Sequence, residues 1–195
     1  FSMRYSSLRE GLVLAICPSV SGGGGIVPDL SGRSNAATLT NMDSADYVAY
    51  HRGIALDFDA SNDFLDIGRC DQLSGLGFVS CSFWCFPKST NGMYALIRYN
   101  TTAALSGERR ADYFGIEASG GILYPVCYFS IAGTPSSYQS FTTTSFSIPL
   151  NAWSHVSISV GLATNAATIA VNGASVTATR MTGGTPPTAT AIQGT

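Results

Sequence analysis

Ile54–Gly68 reads IALDFDASNDFLDIG. Leu56 and Phe58 alternate with Asp57 and Asp59, the polar stretch Ala60-Ser61-Asn62-Asp63 interrupts, and Phe64, Leu65 and Ile67 follow. Apolar residues at every second position mark a strand with one buried face, and a Ser/Asn/Asp cluster between two such runs marks a turn. The stretch therefore reads as two short strands closing on a tight turn, a hairpin inside a β-sandwich.

The same period recurs on both sides of it. Phe78–Pro87 (FVSCSFWCFP) puts Val79, Cys81, Phe83 and Cys85 on one face and Ser80, Ser82, Trp84 and Phe86 on the other. Met93–Tyr99, Asp112–Glu117 and Ile122–Phe129 read as further strands, the last two joined by the turn Ser119-Gly120-Gly121. Pro125 cannot donate to a ladder, which predicts an edge strand or a bulge there. Trp153–Val160 and Ala167–Val171 alternate well, and Asn172-Gly173 is a strong hairpin signal that returns the chain through Ala174–Thr179. Upstream, the apolar run Gly11–Pro18 predicts a first strand, Ser21–Gly25 a flexible loop, and Asp46–His51 a short strand leading into the hairpin. Asp71–Gly77 and the Ser/Thr-rich stretch Ser130–Ser145 read as loops.

Composition bounds the rest. A chain of 195 residues fits one large all-β domain. Charged residues make up 11%, against roughly 25% in an ordinary soluble protein, so part of the surface is expected to be covered by neighbours. The net charge is −2 and only Arg109 and Arg110 are adjacent, which argues against nucleic acid as a ligand. The longest apolar run, Leu12–Cys17, is far short of the roughly 20 residues of a spanning helix, so no membrane insertion is expected. The chain begins at Phe1, ahead of Met3, which suggests processing or a start inside a longer product. Cys17, Cys70, Cys81, Cys85 and Cys127 include no CxxC pair, and His51 and His155 are far apart, so a zinc site is not supported. Cys81 and Cys85 share a strand face about 13 Å apart, too far to bridge each other, and read as reduced core thiols.

Several of these stretches resemble the segments of laminin-G-like, concanavalin A-like jelly-roll domains. IALDFDASNDFLDIG resembles "ALxFDGxxDYVxI". Asp29-Leu30-Ser31-Gly32-Arg33-Ser34-Asn35, continued by Ala37–Asn41, resembles "DxSGxxNxGTLTN"; Phe78–Pro87 resembles "FTISxWVKP"; and Ile148–Val156 (IPLNAWSHV) resembles "PLNxWxHVAxxxD". Ala170–Val176 is similar to the "YVNGxxV" element with smaller residues. The likeness runs from about Gly11 to Thr195, and the implied fold is an all-β, two-sheet antiparallel jelly-roll sandwich forming a single domain over residues 1–195. The family's closing strand, "GxIDEVRIYNRALS", has no match before Thr195, so that slot is expected to be lacking or shared with another chain. The N-terminal pattern is also similar to such domains in bacteriophage and environmental bacterial proteins.

Candidate chemistry is sparse. The glutamates are Glu10, Glu108 and Glu117, and none has a second acid at the spacing of a glycosidase pair, so no enzyme activity is expected. Asp59-x-Ser61-x-Asp63 opens like a calcium loop, but Phe64 and Cys70 stand where glycine and glutamate would be needed. Asp59 and Asp63 read first as turn carboxylates. Relatives that hold calcium near the sandwich rim keep Asp29, Asp59 and Asp63 as weak ligand candidates, with no other cofactor expected. Carbohydrate recognition stacks sugar CH faces on aromatic planes, which singles out Trp84, Tyr99, Tyr113, Tyr124, Tyr128 and Tyr138, against the competing reading that strand aromatics are core or interface. The expectation is a non-catalytic structural or adhesion module of a virion or extracellular surface assembly. Its partners would be protein neighbours in a homo- or hetero-oligomer, with cell-surface glycans as a candidate ligand. The alternative is a carbohydrate-binding module of a secreted glycan-active enzyme.

Overall fold

A computed structural model describes residues 10–21, 25–50, 53–67, 71–73, 75–90, 93–99, 112–131 and 134–183. The chain divides into two compact units, Phe1–Gln72 and Leu73–Thr195.

In the first unit, β1 (Ile26–Val27), β2 (Ala37–Thr40) and β5 (Phe64–Asp66) form a sheet in the order β1-β2-β5, and β3 (Tyr47–Tyr50) pairs with β4 (Gly53–Leu56). Both halves of Ile54–Gly68 are thus strands, but they are not each other's partners. β4 lies against β3, while β5 lies against β2 with Leu65 opposite Leu39. The connection explains the separation. The Asp59 carboxylate accepts the amides of Ser61 (2.7 Å) and Asn62 (3.3 Å), the Asp63 carboxylate accepts the Asp59 amide (2.9 Å), and Ala60 sits at φ +61°. These bonds close the turn on itself, leaving each strand to pair with an earlier one.

The run Gly11–Pro18 also departs from the expected strand. Only Ile16 forms a bridge, to Asp29, and Pro18–Val20 is a 3-10 turn. Its backbone groups are met by side chains instead of a ladder: Ala15 donates to the Asp29 carboxylate (2.9 Å), and the Val13 carbonyl accepts from Ser31 Oγ (3.0 Å) and Asn35 Nδ2 (2.8 Å).

The second unit is the sandwich. β6 (Phe78–Cys85), β11 (Ser154–Gly161), β12 (Ala166–Val171) and β13 (Ala174–Thr177) form one sheet in the order β13-β12-β11-β6. β7 (Met93–Tyr99), β8 (Asp112–Ser119), β9 (Ile122–Ile131), β10 (Thr134–Thr142) and β14 (Thr179–Gly183) form the other, in the order β14-β10-β9-β8-β7. All pairings are antiparallel. The two predicted hairpins are present, with positive φ at Gly120 (+59°) and Gly121 (+78°) and at Asn172 (+50°) and Gly173 (+87°), as the twist of tight hairpins requires.

Alternation builds the core. Val79, Cys81 and Cys85 of β6, Val156, Ile158 and Val160 of β11 and Ile169 of β12 meet Phe114, Ile116, Cys127, Phe129 and Phe141 of the facing sheet. Each fully buried aliphatic or phenyl side chain contributes about 1.5–3 kcal/mol relative to exposure. Phe114 and Phe129 pack edge to face with centroids 5.6 Å apart. After β13, the Ala178 amide still bonds to the Ala167 carbonyl (2.9 Å), and the chain then crosses to pair with β10 as β14, closing one side of the sandwich.

Two expectations are corrected here. The Ser/Thr-rich stretch Ser130–Ser145 contains β10, an interior strand between β9 and β14. Its alternation is real but polar, with fully buried Gln139 and Phe141 facing the core and Tyr138, Ser140 and Thr142 turned away. Pro125 lies in β9, also an interior strand, without a bulge against β8. The Ile148 amide bonds to the Leu123 carbonyl, so odd-numbered residues of β9 turn towards the β10 side. There Pro125 lies one step past the last β10 pair, Thr142 with Val126, so no ladder bond needs the missing N–H. The segment that would carry a closing strand, residues 184–195, lies outside the described residues, as do Cys70, Glu108 and His51.

Candidate functional site

The aromatic candidates whose side chains are described fall on opposite faces of the sandwich. On the five-stranded sheet, β8 and β9 place Tyr113 opposite Tyr128. Their rings stack at 5.7 Å, and Tyr128 stacks on Tyr138 of β10 at 5.1 Å, making a row of three rings across three strands. The Tyr113 hydroxyl donates to Glu117 Oε1 (2.8 Å), and Tyr113 is only 4% exposed. Val126 and Ser140 on the same face are buried as well. Tyr124, half-buried, lies opposite Glu117. This row is a packed structural ladder, and its innermost ring has no surface to offer a ligand. Tyr99 pairs in register with Asp112, and its side chain lies outside what the structure describes.

Trp84 is placed differently. It stands on the outer face of β6 and is 51% exposed. β11 brings His155 directly opposite it, with ring centroids 5.1 Å apart at 48°. The imidazole Nε2 shares a hydrogen bond with Ser82 Oγ (2.8 Å), and the backbone amide of His155 donates to Asn172 Oδ1 (2.9 Å) at the β12–β13 turn. One step along, Ser80 and Ser159 join their hydroxyls at 2.9 Å. Ser157, Thr168, Ala170, Ser175 and Thr177 complete the same face, which carries no Lys, Arg, Asp or Glu. Beyond Trp84, Phe86 packs against Trp153 with centroids 5.5 Å apart. The result is a hydroxylated surface without Lys, Arg, Asp or Glu and with an exposed indole at one end. An aromatic plane beside neutral donors and acceptors can take the CH face and hydroxyls of an uncharged ligand.

The acidic residues are engaged elsewhere. Asp29 uses both oxygens on four protein donors: the amides of Ala15 and Ser31 at 2.9 Å each, the Asn35 amide at 3.0 Å and the Ser31 hydroxyl at 2.6 Å. Partial burial works to raise its pKa, but the Ser31 hydroxyl and these amides outweigh it and hold the carboxyl at about 2. Asp59 is lowered chiefly by the Ser61 amide. The carboxylates of Asp29, Asp59 and Asp63 are thus each engaged by amides or hydroxyls of their own loops and turns. Among the described residues no group of three His, Cys, Asp or Glu side chains converges. On β8, Glu117 lies in register between Met93 and Tyr124, with no acid beside it.

Alternation in the sequence put Ser80, Ser82, Trp84 and Phe86 on one face, as found. His155 lies in the stretch Ile148–Val156, far from Trp84 in the sequence. That it stands beside Trp84 depends on the register of β11 against β6, which links residues more than seventy positions apart.

Residues 59–193 match the family model described as the concanavalin A-like lectin/glucanases superfamily, a laminin-G type. The chain belongs to this family. The antiparallel two-sheet sandwich of its second unit is the corresponding fold. Membership suggests a carbohydrate-binding or adhesion module, within a superfamily that holds glucanases as well as lectins. No curated protein and no solved structure matches the chain.

Proposed function

We propose that this laminin-G-like chain is a non-catalytic glycan-binding adhesion module of a virion or extracellular surface assembly, and that the outer face of β6 and β11 receives the glycan. The observation that carries this reading is Trp84, a half-exposed indole steadied by His155 on a sheet face without a formal charge. A hexopyranose brings a patch of axial C–H groups for the indole and neutral hydroxyls for the surrounding Ser and Thr. The face offers no Lys, Arg, Asp or Glu to a charged ligand. Among the described residues no acid stands opposite Glu117 in register, as a glycosidase pair on adjacent strands would need. The low charge of the whole chain supports a place among protein neighbours.

The test is a screen of neutral and acidic glycans with the wild-type chain and Trp84→Ala, run with calcium and with a chelator. Binding to a neutral glycan that Trp84→Ala loses and the chelator leaves intact is the expected result. Binding that survives Trp84→Ala, or that requires calcium, would overturn the site.

A further inference from the structure

The outer face of the four-stranded sheet carries an aromatic ring at each end of β6. Register sets Trp84 beside His155 at one end and Phe78 beside Gly161 at the other, with the pairs Ser82–Ser157 and Ser80–Ser159 between them. The two ends are built alike. Trp84 is 51% exposed with its ring against the imidazole, and Phe78 is 63% exposed with its ring against a glycine. A β-carbon added at Gly161 would meet Thr164 and lie 3.5 Å from Phe78 Cδ2, so the phenyl ring rests on a position that has no side chain of its own. Both ring-bearing positions are even-numbered and share the face, and six residues of extended strand separate them by roughly 20 Å. The surface between them is hydroxylated: Ser80 and Ser159 join at 2.9 Å, and Ser82 Oγ lies 2.8 Å from His155 Nε2. Ser80 and Ser82 are exposed, and a hydroxyl bonded once keeps capacity for a further partner. The other sheet presents nothing similar, since Tyr113, Val126 and Ser140 on its outer face are buried.

We infer that this face takes an internal stretch of a linear neutral glycan, laid along β6 from Trp84 to Phe78, and not a single terminal sugar. Such a chain matches the surface at three points. Its C–H faces meet an aromatic plane at each end, its hydroxyls meet the serine rows between, and its lack of charge suits a face whose described residues include no Lys, Arg, Asp or Glu. The inference rests on the glycan reading of this face and adds to it a second aromatic contact, Phe78, and a minimum ligand length. A disaccharide reaches one ring only. A chain that spans both makes its second contact within the same complex, so affinity climbs with length until both rings are covered and then levels.

Titration calorimetry on the full chain tests it, with size ladders of cellulose-, laminarin- and mannan-derived oligosaccharides from the disaccharide upward. On at least one ladder the affinity is expected to rise with length to a plateau. Phe78→Ala should lower that plateau by roughly five- to fiftyfold, from the area its exposed ring offers, and leave the disaccharide affinity unchanged. Trp84→Ala should weaken short and long members alike. Phe78→Leu keeps an apolar side chain at Gly161 without a ring plane, and gives the same result should the alanine variant lose the wild-type circular dichroism. Equal affinity for the disaccharide and the longest member overturns the inference, as does a plateau that both Phe78 variants leave unaltered. If Trp84→Ala still abolishes binding in either case, the glycan reading stands without the second contact. If no ladder binds, the inference falls, and the wider glycan screen decides the reading beneath it. A wild-type chain that self-associates in light scattering, and that Phe78→Ala returns to the single-chain mass without a change in glycan affinity, assigns Phe78 to a protein contact and overturns the inference as well.

Discussion

Truncating Trp84 to alanine is the sharpest probe of the outer face. A tryptophan side chain can bury about 200 Å². With 51% of Trp84 exposed, roughly 100 Å² remains for a ligand to cover. At about 25 cal/mol per Å² that area sets an upper bound near 2.5 kcal/mol, about 70-fold in Kd. A pyranose ring covers one face of the indole, so about half that area, ~1.2 kcal/mol or roughly eightfold, is the lower bound. Titration calorimetry on whichever neutral glycan binds best should therefore give an eight- to seventyfold loss for Trp84→Ala. Tyr113→Phe should leave the affinity unchanged while lowering stability, because its phenol is bonded to Glu117 inside a packed row. A Trp84→Ala affinity within threefold of wild type, or a larger loss from Tyr128→Ala, would refute the assignment of the site to the four-stranded sheet.

Other outcomes follow from the same geometry. Asp29 sits at about 2 in the fold against an ordinary 3.8, so its contribution is complete at neutral pH and is lost as pH falls through the folded value. Urea midpoints should drop for the wild type between about pH 4 and 2. Asp29→Asn, weaker by about 1–2 kcal/mol at pH 7 because this loop is partly open to water, should drop less; parallel curves would refute the role of the carboxylate. Burial pushes the Cys81 and Cys85 thiols up to about 12 and Cys127 higher still, so iodoacetamide at pH 8 should spare all three until the chain unfolds. Fast labelling of native Cys127, followed by mass spectrometry, would contradict the packing. Phe114→Ala and Phe129→Ala should each cost about 3–5 kcal/mol, with a coupling of about 0.5–1.5 kcal/mol from their edge-to-face contact in a double-mutant cycle. Strict additivity would mean that the rings do not meet.

Strand content was legible wherever hydrophobic alternation was strong. β6, β11 and β12 lie within a residue or so of where period-2 patterning put them, because one face of each is buried against the other sheet and the pattern has no freedom to slip. β10 was illegible because its outward positions are Tyr, Ser and Thr, and one inward position is Gln139, whose Nε2 donates to the Leu162 carbonyl and the Asn165 side chain. A polar residue that finds its partners inside erases the apolar signal on which the reading depends. The hairpin at Ile54–Gly68 failed for a different reason. Both strands and the turn were visible, but a turn whose side chains satisfy its own amides carries no information about which strands it joins. β4 pairs instead with the strand just before it, Tyr50 opposite Gly53, and β5 with the more distant β2, Leu65 opposite Leu39.

The site divides along the same line. That Trp84 shares a face with Ser80 and Ser82 is a property of one strand and can be read from spacing alone. That Tyr113, Tyr128 and Tyr138 stack into a closed row, while Trp84 stays open beside His155, is a property of register between strands far apart in sequence. The six aromatics are equivalent by composition and become inequivalent only through their cross-strand neighbours. Tyr113 and Tyr128 stand opposite each other and stack, whereas Trp84 stands opposite His155 and keeps half of its surface exposed.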